Sequence, residues 1–410
     1  MFIMSAPSSR QGVKVLIAGS ILQLFLGIIY VWSVFVAPVA GNFGWKLDDV
    51  KFTANIMLCC FVLGILIGGK LQTKIKASYI VLAGGVLMAA GMLATSFLGT
   101  GAPVWSIWIT YGIVGGFGVG LAYNTIISSA QKWFPKKRGL ATGISVFTFG
   151  FASVVFALII EPMIALNSIG LMRTLQILAA VFFVATIALF SFIKMPENVT
   201  GGGAFFDDKK QYTTGQMLKT VDFYLIFFSM MFLTAAFFII NPSLKFLPPM
   251  YGLGNEFGKI IIMIGGLANA AGRLAVPLLG DKIGRRGAVL TILILTVAAM
   301  AALCLSNSVL FIIAIAIAAF CYGGSSGIFP LVTADYFGLK NIGANYGVVM
   351  VAFMSSVLIA PMAIKQLHTG EGVAVADNTL QFIALAIIAA LGSLLTAVLI
   401  LRAKKNKEKK

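Results

Sequence analysis

Apolar runs long enough to cross a bilayer recur twelve times along the 410 residues, each ending at charges, Pro or Gly. A helix rises about 1.5 Å per residue and roughly 20 apolar residues cross the hydrocarbon, so each run predicts a membrane-spanning helix. The runs lie near 14–39, 52–72, 78–98, 104–130, 139–166, 171–193, 221–249, 258–280, 287–306, 309–334, 343–366 and 379–401. The longest polar interruption, 195–219, contains Gly201, Gly202 and Gly203 and the charged stretch 207–210. It predicts a linker between two six-helix halves, 1–194 and 220–402, a pseudo-repeat, with a basic tail over 403–410.

Composition agrees with an all-α polytopic membrane protein: 60% of residues are hydrophobic and 10% charged. The formal net charge of +17 does not point to nucleic acid, because the basic residues fall in short loops instead of on one soluble face. Placing both termini and the even-numbered loops on one side collects 23 of the 30 Lys and Arg residues there. The positive-inside rule then predicts cytoplasmic termini in a multi-pass cell-membrane protein. The tail reads as a stop-transfer anchor, or as a contact with anionic lipid. Cys59, Cys60, Cys304 and Cys321 lie in or beside apolar spans and show neither a disulfide framework nor metal-ligand spacing. The first apolar run is too long for a signal-peptide core and is expected to be retained.

One charge breaks the pattern. Arg273 sits within the apolar run 260–279, roughly 12 Å along the helix from Asp281 and about 21 Å from Lys259. An ionisable side chain at that depth usually faces a bundle interior or water-filled cavity and marks a substrate or ion path. The alternative is a structural Arg paired with helix carbonyls or a carboxylate.

Loop signatures narrow the class. After the eighth run the chain reads Gly280-Asp281-Lys282-Ile283-Gly284-Arg285-Arg286, which resembles the loop signature of the major facilitator superfamily. The resemblance implies that Asp281, Arg285 and Arg286 steady a conformation instead of touching substrate. At the matching place in the first half, Thr73 stands where an Asp is usual. A second stretch runs through Gly115, Gly116, Gly118, Gly120 and Tyr123 to Lys132-Trp133-Phe134-Pro135-Lys136-Lys137-Arg138. Its glycines would let a neighbouring backbone or a substrate approach. Together with Tyr30-Val31-Trp32-Ser33, Tyr322-Gly323-Gly324, Asp335-Tyr336-Phe337-Gly338 and Asn345-Tyr346-Gly347, it resembles the oxalate:formate antiporter family and the monocarboxylate porters.

That resemblance implies a role for Arg273 as a binder of the substrate carboxylate, which a planar guanidinium can grip in bidentate fashion. Asn269, one turn earlier, occupies a place where eukaryotic monocarboxylate porters tend to carry an Asp. It is read as orienting Arg273 or bonding the substrate, or alternatively as packing. Phe353 falls where the family's dicarboxylate member has a second cation, so the resemblance implies a preference for one carboxylate; Lys245 is read as interfacial, with replacement of that cation as the alternative. Tyr30, Tyr123 and Tyr322 are expected to offer hydroxyls to the substrate or else to fill helix interfaces, and Leu26, Phe329 and Phe353 are expected as apolar walls. Pro242, Pro248, Pro249, Gly265 and Gly266 are gate candidates.

The coupling mechanism is less legible. Glu161, Asp281 and Asp335 lie toward span ends and His368 in an outer loop, so no buried proton carrier stands out. No Walker loop, metal cluster or nucleophile constellation predicts an enzyme or a cofactor. The expectation is therefore a secondary transporter of small monocarboxylates such as lactate or pyruvate, working as a monomer among membrane lipids with H+ as co-substrate. The alternatives are an anion exchanger of the oxalate:formate type and a membrane carboxylate sensor.

Overall fold

The computed structural model describes residues 9–166, 168–196, 211–241, 244, 247–254, 256–365 and 375–408. Among them there are no strands, and twelve helices are long and apolar enough to span a membrane. In the first half these are α1 Arg10–Phe43, α2 Leu47–Leu71, α3 Ala77–Ser96, α4 Trp105–Trp133, α5 Arg138–Ala165 and α6 Gly170–Phe192. The second half contains α7 Val221–Ile240, α8 Phe257–Ile283, α9 Arg285–Ala302, α10 Ser308–Phe337, α11 Ile342–Ile359 and α12 Thr379–Ala403. Helices satisfy their own backbone polar groups, which hydrocarbon cannot do.

Two compact units result: Met1–Thr214 with Phe337–Val348, and Gly215–Tyr336 with Val349–Lys410. The short start of α11 thus packs with the first six helices, a division that a cut at the linker did not anticipate. Of the expected linker, residues 197–210 lie outside the described residues.

In the first unit, α4 explains its glycines. A Cβ at Gly116 or Gly120, one turn apart, would strike the Met57 or Phe61 carbonyl of α2, and one at Gly118 would lie 2.5 Å from the Gly84 carbonyl of α3. Of the two readings open from sequence, close backbone approach describes these positions. Two departures from regular α geometry also appear: α1 tightens to a 3-10 turn over Gly27–Val31, where Gly27 meets the Phe149 carbonyl of α5, and α4 widens to a π-helix over Trp108–Gly115. Tyr111, in the π segment, is fully buried with its ring 4.6 Å from that of Trp32.

In the second unit, α7 ends at Ile240, earlier than the expected span 221–249. Prolines cannot supply the N–H that continues a helix. Pro248 and Pro249 open a separate 3-10 turn, Pro248–Tyr251, and Pro242 lies outside the described residues. The turn presents Tyr251, which stacks on Phe311 at 4.2 Å and donates to the Leu303 carbonyl at 2.6 Å. Burial, followed by the neighbouring Cys304, raises the pKa of that phenol. Gly284, with φ +85°, turns the chain between α8 and α9 in a conformation that favours glycine.

The α2–α4 contact predicts a sharp contrast. Gly120→Ala should lower the thermal midpoint by the equivalent of about 1–3 kcal/mol of overpacking. Gly41→Ala, whose Cβ meets nothing within 4 Å, should leave it unchanged or higher; a thermal-shift series in detergent reads both.

Candidate functional site

Arg273 is only 1% exposed, at the middle of α8. Its Nε donates to Asn269 Oδ1 at 2.9 Å, one helical turn away on the same face. This bond fixes the guanidinium plane through Nε, the nitrogen nearest the stem. The terminal Nη1 and Nη2 are the pair that a carboxylate would approach as a fork.

The backbone around Arg273 is specialised as well. Pro277 lies four residues on, inside α8, so the helix lacks the N–H that would otherwise bond the Arg273 carbonyl. On α10, Gly327 lies against that carbonyl, with a Cβ there falling 2.7 Å from it. One turn earlier, Gly323 meets the Asn269 carbonyl and Gly272 meets that of Phe320. Small residues therefore bring α8 and α10 into backbone contact over the two turns that carry Asn269 and Arg273.

Tyr322, next to Gly323, is buried in an aromatic assembly. Phe237 stacks on it with centroids 4.0 Å apart and planes 7° from parallel, and Phe238 meets it edge-on at 5.4 Å. Phe238 is also edge-on to Phe353 at 5.1 Å, and Tyr322 and Phe353 lie 6.5 Å apart. One turn away, Thr234 and Ser356 bond at 2.8 Å, joining α7 to α11. The structure thus brings Tyr322 and Phe353 together and adds Phe237 and Phe238, which sequence reading did not single out. Phe329 lies elsewhere in the unit, lining a small crevice with Ile226, Ser229, Val289 and Thr396.

The predicted residues of the first unit separate in the same way. Tyr30 and Tyr123 both pack on Phe149, at 5.4 and 4.6 Å, and Phe61 contacts Tyr123 at 5.1 Å. The Gln23 side chain donates to the Tyr123 carbonyl at 3.2 Å, tying α1 to α4. Leu26 instead lines a crevice with Leu22, Val81, Ala122 and Phe182.

At the basic end of the second unit, Arg285 Nη2 lies 2.5 Å from Asp281 Oδ1, its Nε lies 3.7 Å from Asp335 Oδ2, and its Nη1 donates to the Pro277 carbonyl at 3.3 Å. Arg286 lies 6.0 Å over the Tyr336 ring. One side chain therefore links the ends of α8 and α10 at the start of α9. In the first unit Thr73 merely bonds back to the Lys70 carbonyl at 2.8 Å. Among the gate candidates, a Cβ at Gly265 would lie 3.9 Å from Ala319 and Leu244, in ordinary contact, and one at Gly266 would meet no other element within 4 Å. Lys245 and His368 lie outside the described residues. No group of three metal-ligating side chains occurs among the described residues.

Twelve helices long and apolar enough to span a membrane among the described residues, in two units, define a polytopic membrane protein. The Major Facilitator Superfamily model matches residues 16–361 and 226–410, and the chain belongs to that family; it is a multi-pass membrane transporter and not an enzyme. It is 27% identical to an uncharacterised MFS-type transporter of Escherichia coli, YhjX, covering 85% of this chain and 86% of the relative. The oxalate:formate antiporter of Oxalobacter formigenes is 25% identical, with 80% and 78% covered. Monocarboxylate transporter 13 of Rattus norvegicus is 26% identical over 44% of this chain and 41% of its own. A bacterial homologue of the iron transporter ferroportin, in an outward-facing state, shares the fold with a TM-score of 0.73 at 14% identity, covering 95% and 99%.

The Arg285 contacts predict unequal losses. Asp281→Asn should lower the thermal midpoint more than Asp335→Asn, because the first contact is the shorter. Both carboxylates are about a third exposed, so each loss should stay within about 1 kcal/mol and shrink in high salt. Thermal shifts of the two variants at low and high ionic strength check this.

Proposed function

We propose that the chain is a secondary transporter of small monocarboxylates of the lactate or pyruvate type, working by alternating access, with Arg273 as the carboxylate anchor and a proton moving with the anion. The observation that carries this reading is the Arg273–Asn269 bond: a buried guanidinium held in plane by a neutral side chain, inside a membrane helix. A carboxylate neutralises such a cation and matches its fork geometry. The Tyr322, Phe238 and Phe353 rings support a single carboxylate with an apolar remainder. A second carboxylate placed against such rings would face a desolvation penalty of several kcal/mol. Asn269 does not titrate, and in this reading the proton moves with the substrate.

Anion exchange is the second reading. It is favoured by the oxalate:formate antiporter matching 80% of the chain where monocarboxylate transporter 13 matches 44%. An empty carrier with a buried cation reorients poorly, whereas a loaded one is neutral.

Purified protein in liposomes distinguishes the two. Labelled lactate or pyruvate should enter under an inward proton gradient without internal anion. Uptake that requires internal formate or oxalate selects exchange, and oxalate preference overturns the single-carboxylate reading. Arg273→Lys keeps the charge but loses the fork, and should reduce uptake at low substrate by about tenfold or more. Asn269→Asp places an ionisable oxygen beside Arg273, where its deprotonated form competes with substrate. Uptake by that variant should fall more steeply from acidic to neutral pH than in the parent; an unchanged profile would show that residue 269 does not act on Arg273.

A further inference from the structure

Amide hydrogen bonds hold the start of α11 in the first unit, beside the buried side chains of Ile342 and Tyr346 and the edge-on Tyr212–Phe337 contact. Asn124 of α4 is 1% exposed, and its Nδ2 donates to the Gly343 carbonyl at 2.8 Å and the Ile65 carbonyl at 3.1 Å. Ser128, one turn on, donates to the Asn124 carbonyl at 2.7 Å, which pins that turn of α4. Gly69 of α2 lies directly against the Gly343 peptide, and Gly347 faces the Leu66 backbone with a Cβ position 2.8 Å from its Cα. Side-chain amides continue the attachment: Asn341 and Asn345 donate to the Tyr212 carbonyl at 3.0 and 3.1 Å, and Thr214 donates to Asn345 at 3.0 Å.

Charge plays no part in these contacts. Lys340 is the one charged residue of 337–348; its side chain is exposed, and only its backbone N–H takes part, donating to Gln211 Oε1 at 2.9 Å. In the nearby loop the position of the usual acidic residue is Thr73, which bonds only its own helix end. We propose that Asn124 is a positioning residue of the transport cycle. Its carboxamide is an uncharged latch that holds the start of α11 in the first unit and releases it when that end of the unit opens. Both Gly69 and Gly343 adjoin even-numbered loops, so the latch lies on the side that the Lys and Arg distribution makes cytoplasmic. Its loss should favour the cytoplasm-open state. One carboxamide thus serves two backbone carbonyls, one from α2 and one from α11.

Ala344, beside Gly343 and 8% exposed, reports on release without any transported substrate. In full-length protein with Cys59, Cys60, Cys304 and Cys321 replaced, Ala344→Cys is labelled with a membrane-impermeant maleimide from the basic-loop side of inside-out vesicles. Asn124→Ala, and Asn124→Leu, which preserves shape without the donor, should each speed labelling about fivefold, the change expected for losing one buried hydrogen bond. Thr95→Val, which removes the part-buried Thr95–Thr110 bond elsewhere in the unit, should lower thermal stability comparably and leave labelling unchanged. Molar salt should leave labelling of the parent unchanged as well. An unaltered rate in Asn124→Leu, an equal acceleration in Thr95→Val, or strong salt dependence would overturn the proposal, whatever anion the protein carries.

Discussion

The burial of the Arg273 guanidinium inside a membrane helix sets the terms for the rest of the second unit. A cation at that depth costs about 2.5–3.5 kcal/mol on insertion scales, and more in simulations of an isolated helix. The chain surrounds it with packed protein: Gly272, Gly323 and Gly327 bring α8 and α10 into backbone contact, and Asn269 accepts from Nε. Pro277 removes the helical donor for Arg273's own carbonyl. The helix is thus altered at the residue that carries the charge.

The fold was legible because hydrocarbon leaves a chain few options. Spanning segments must be long, apolar and helical, and a single sequence shows where most of them lie, although α7 ends nine residues before its expected limit. Arg273 and its relation to Asn269 were legible for the same reason: a charge in an apolar run stands out, and a spacing of four puts the pair on one face. What could not be read were choices among apolar residues. Phe237 and Phe238 look like any lipid-facing pair in a span rich in Phe, and only the packing of α7 against α10 and α11 sets them against Tyr322 and Phe353. Leu26 and Phe329, expected as walls, each line a small crevice within their own unit. Asn124 was missed in a run of small and polar residues whose partners lie far away in sequence, including one 219 residues on.

The two units carry different kinds of bond at their basic ends. In the second, Arg285 gathers Asp281 and Asp335, partly exposed contacts that ions screen. In the first, where Thr73 replaces the usual acidic residue, amides and bare glycine backbone make the contacts. Buried neutral hydrogen bonds are insensitive to salt but depend strongly on geometry. Under the proposed function, conformational change would then be governed by shape and by whether Arg273 is neutralised, with little contribution from surface charge.

The most direct test of the carboxylate anchor is equilibrium binding, free of any assumption about coupling. Isothermal titration of the purified protein with lactate and pyruvate, beside Arg273→Gln with an unchanged thermal midpoint, isolates the guanidinium. The account predicts saturable binding by the parent and none measurable in the variant. Equal affinity of both proteins for the carboxylate would contradict it.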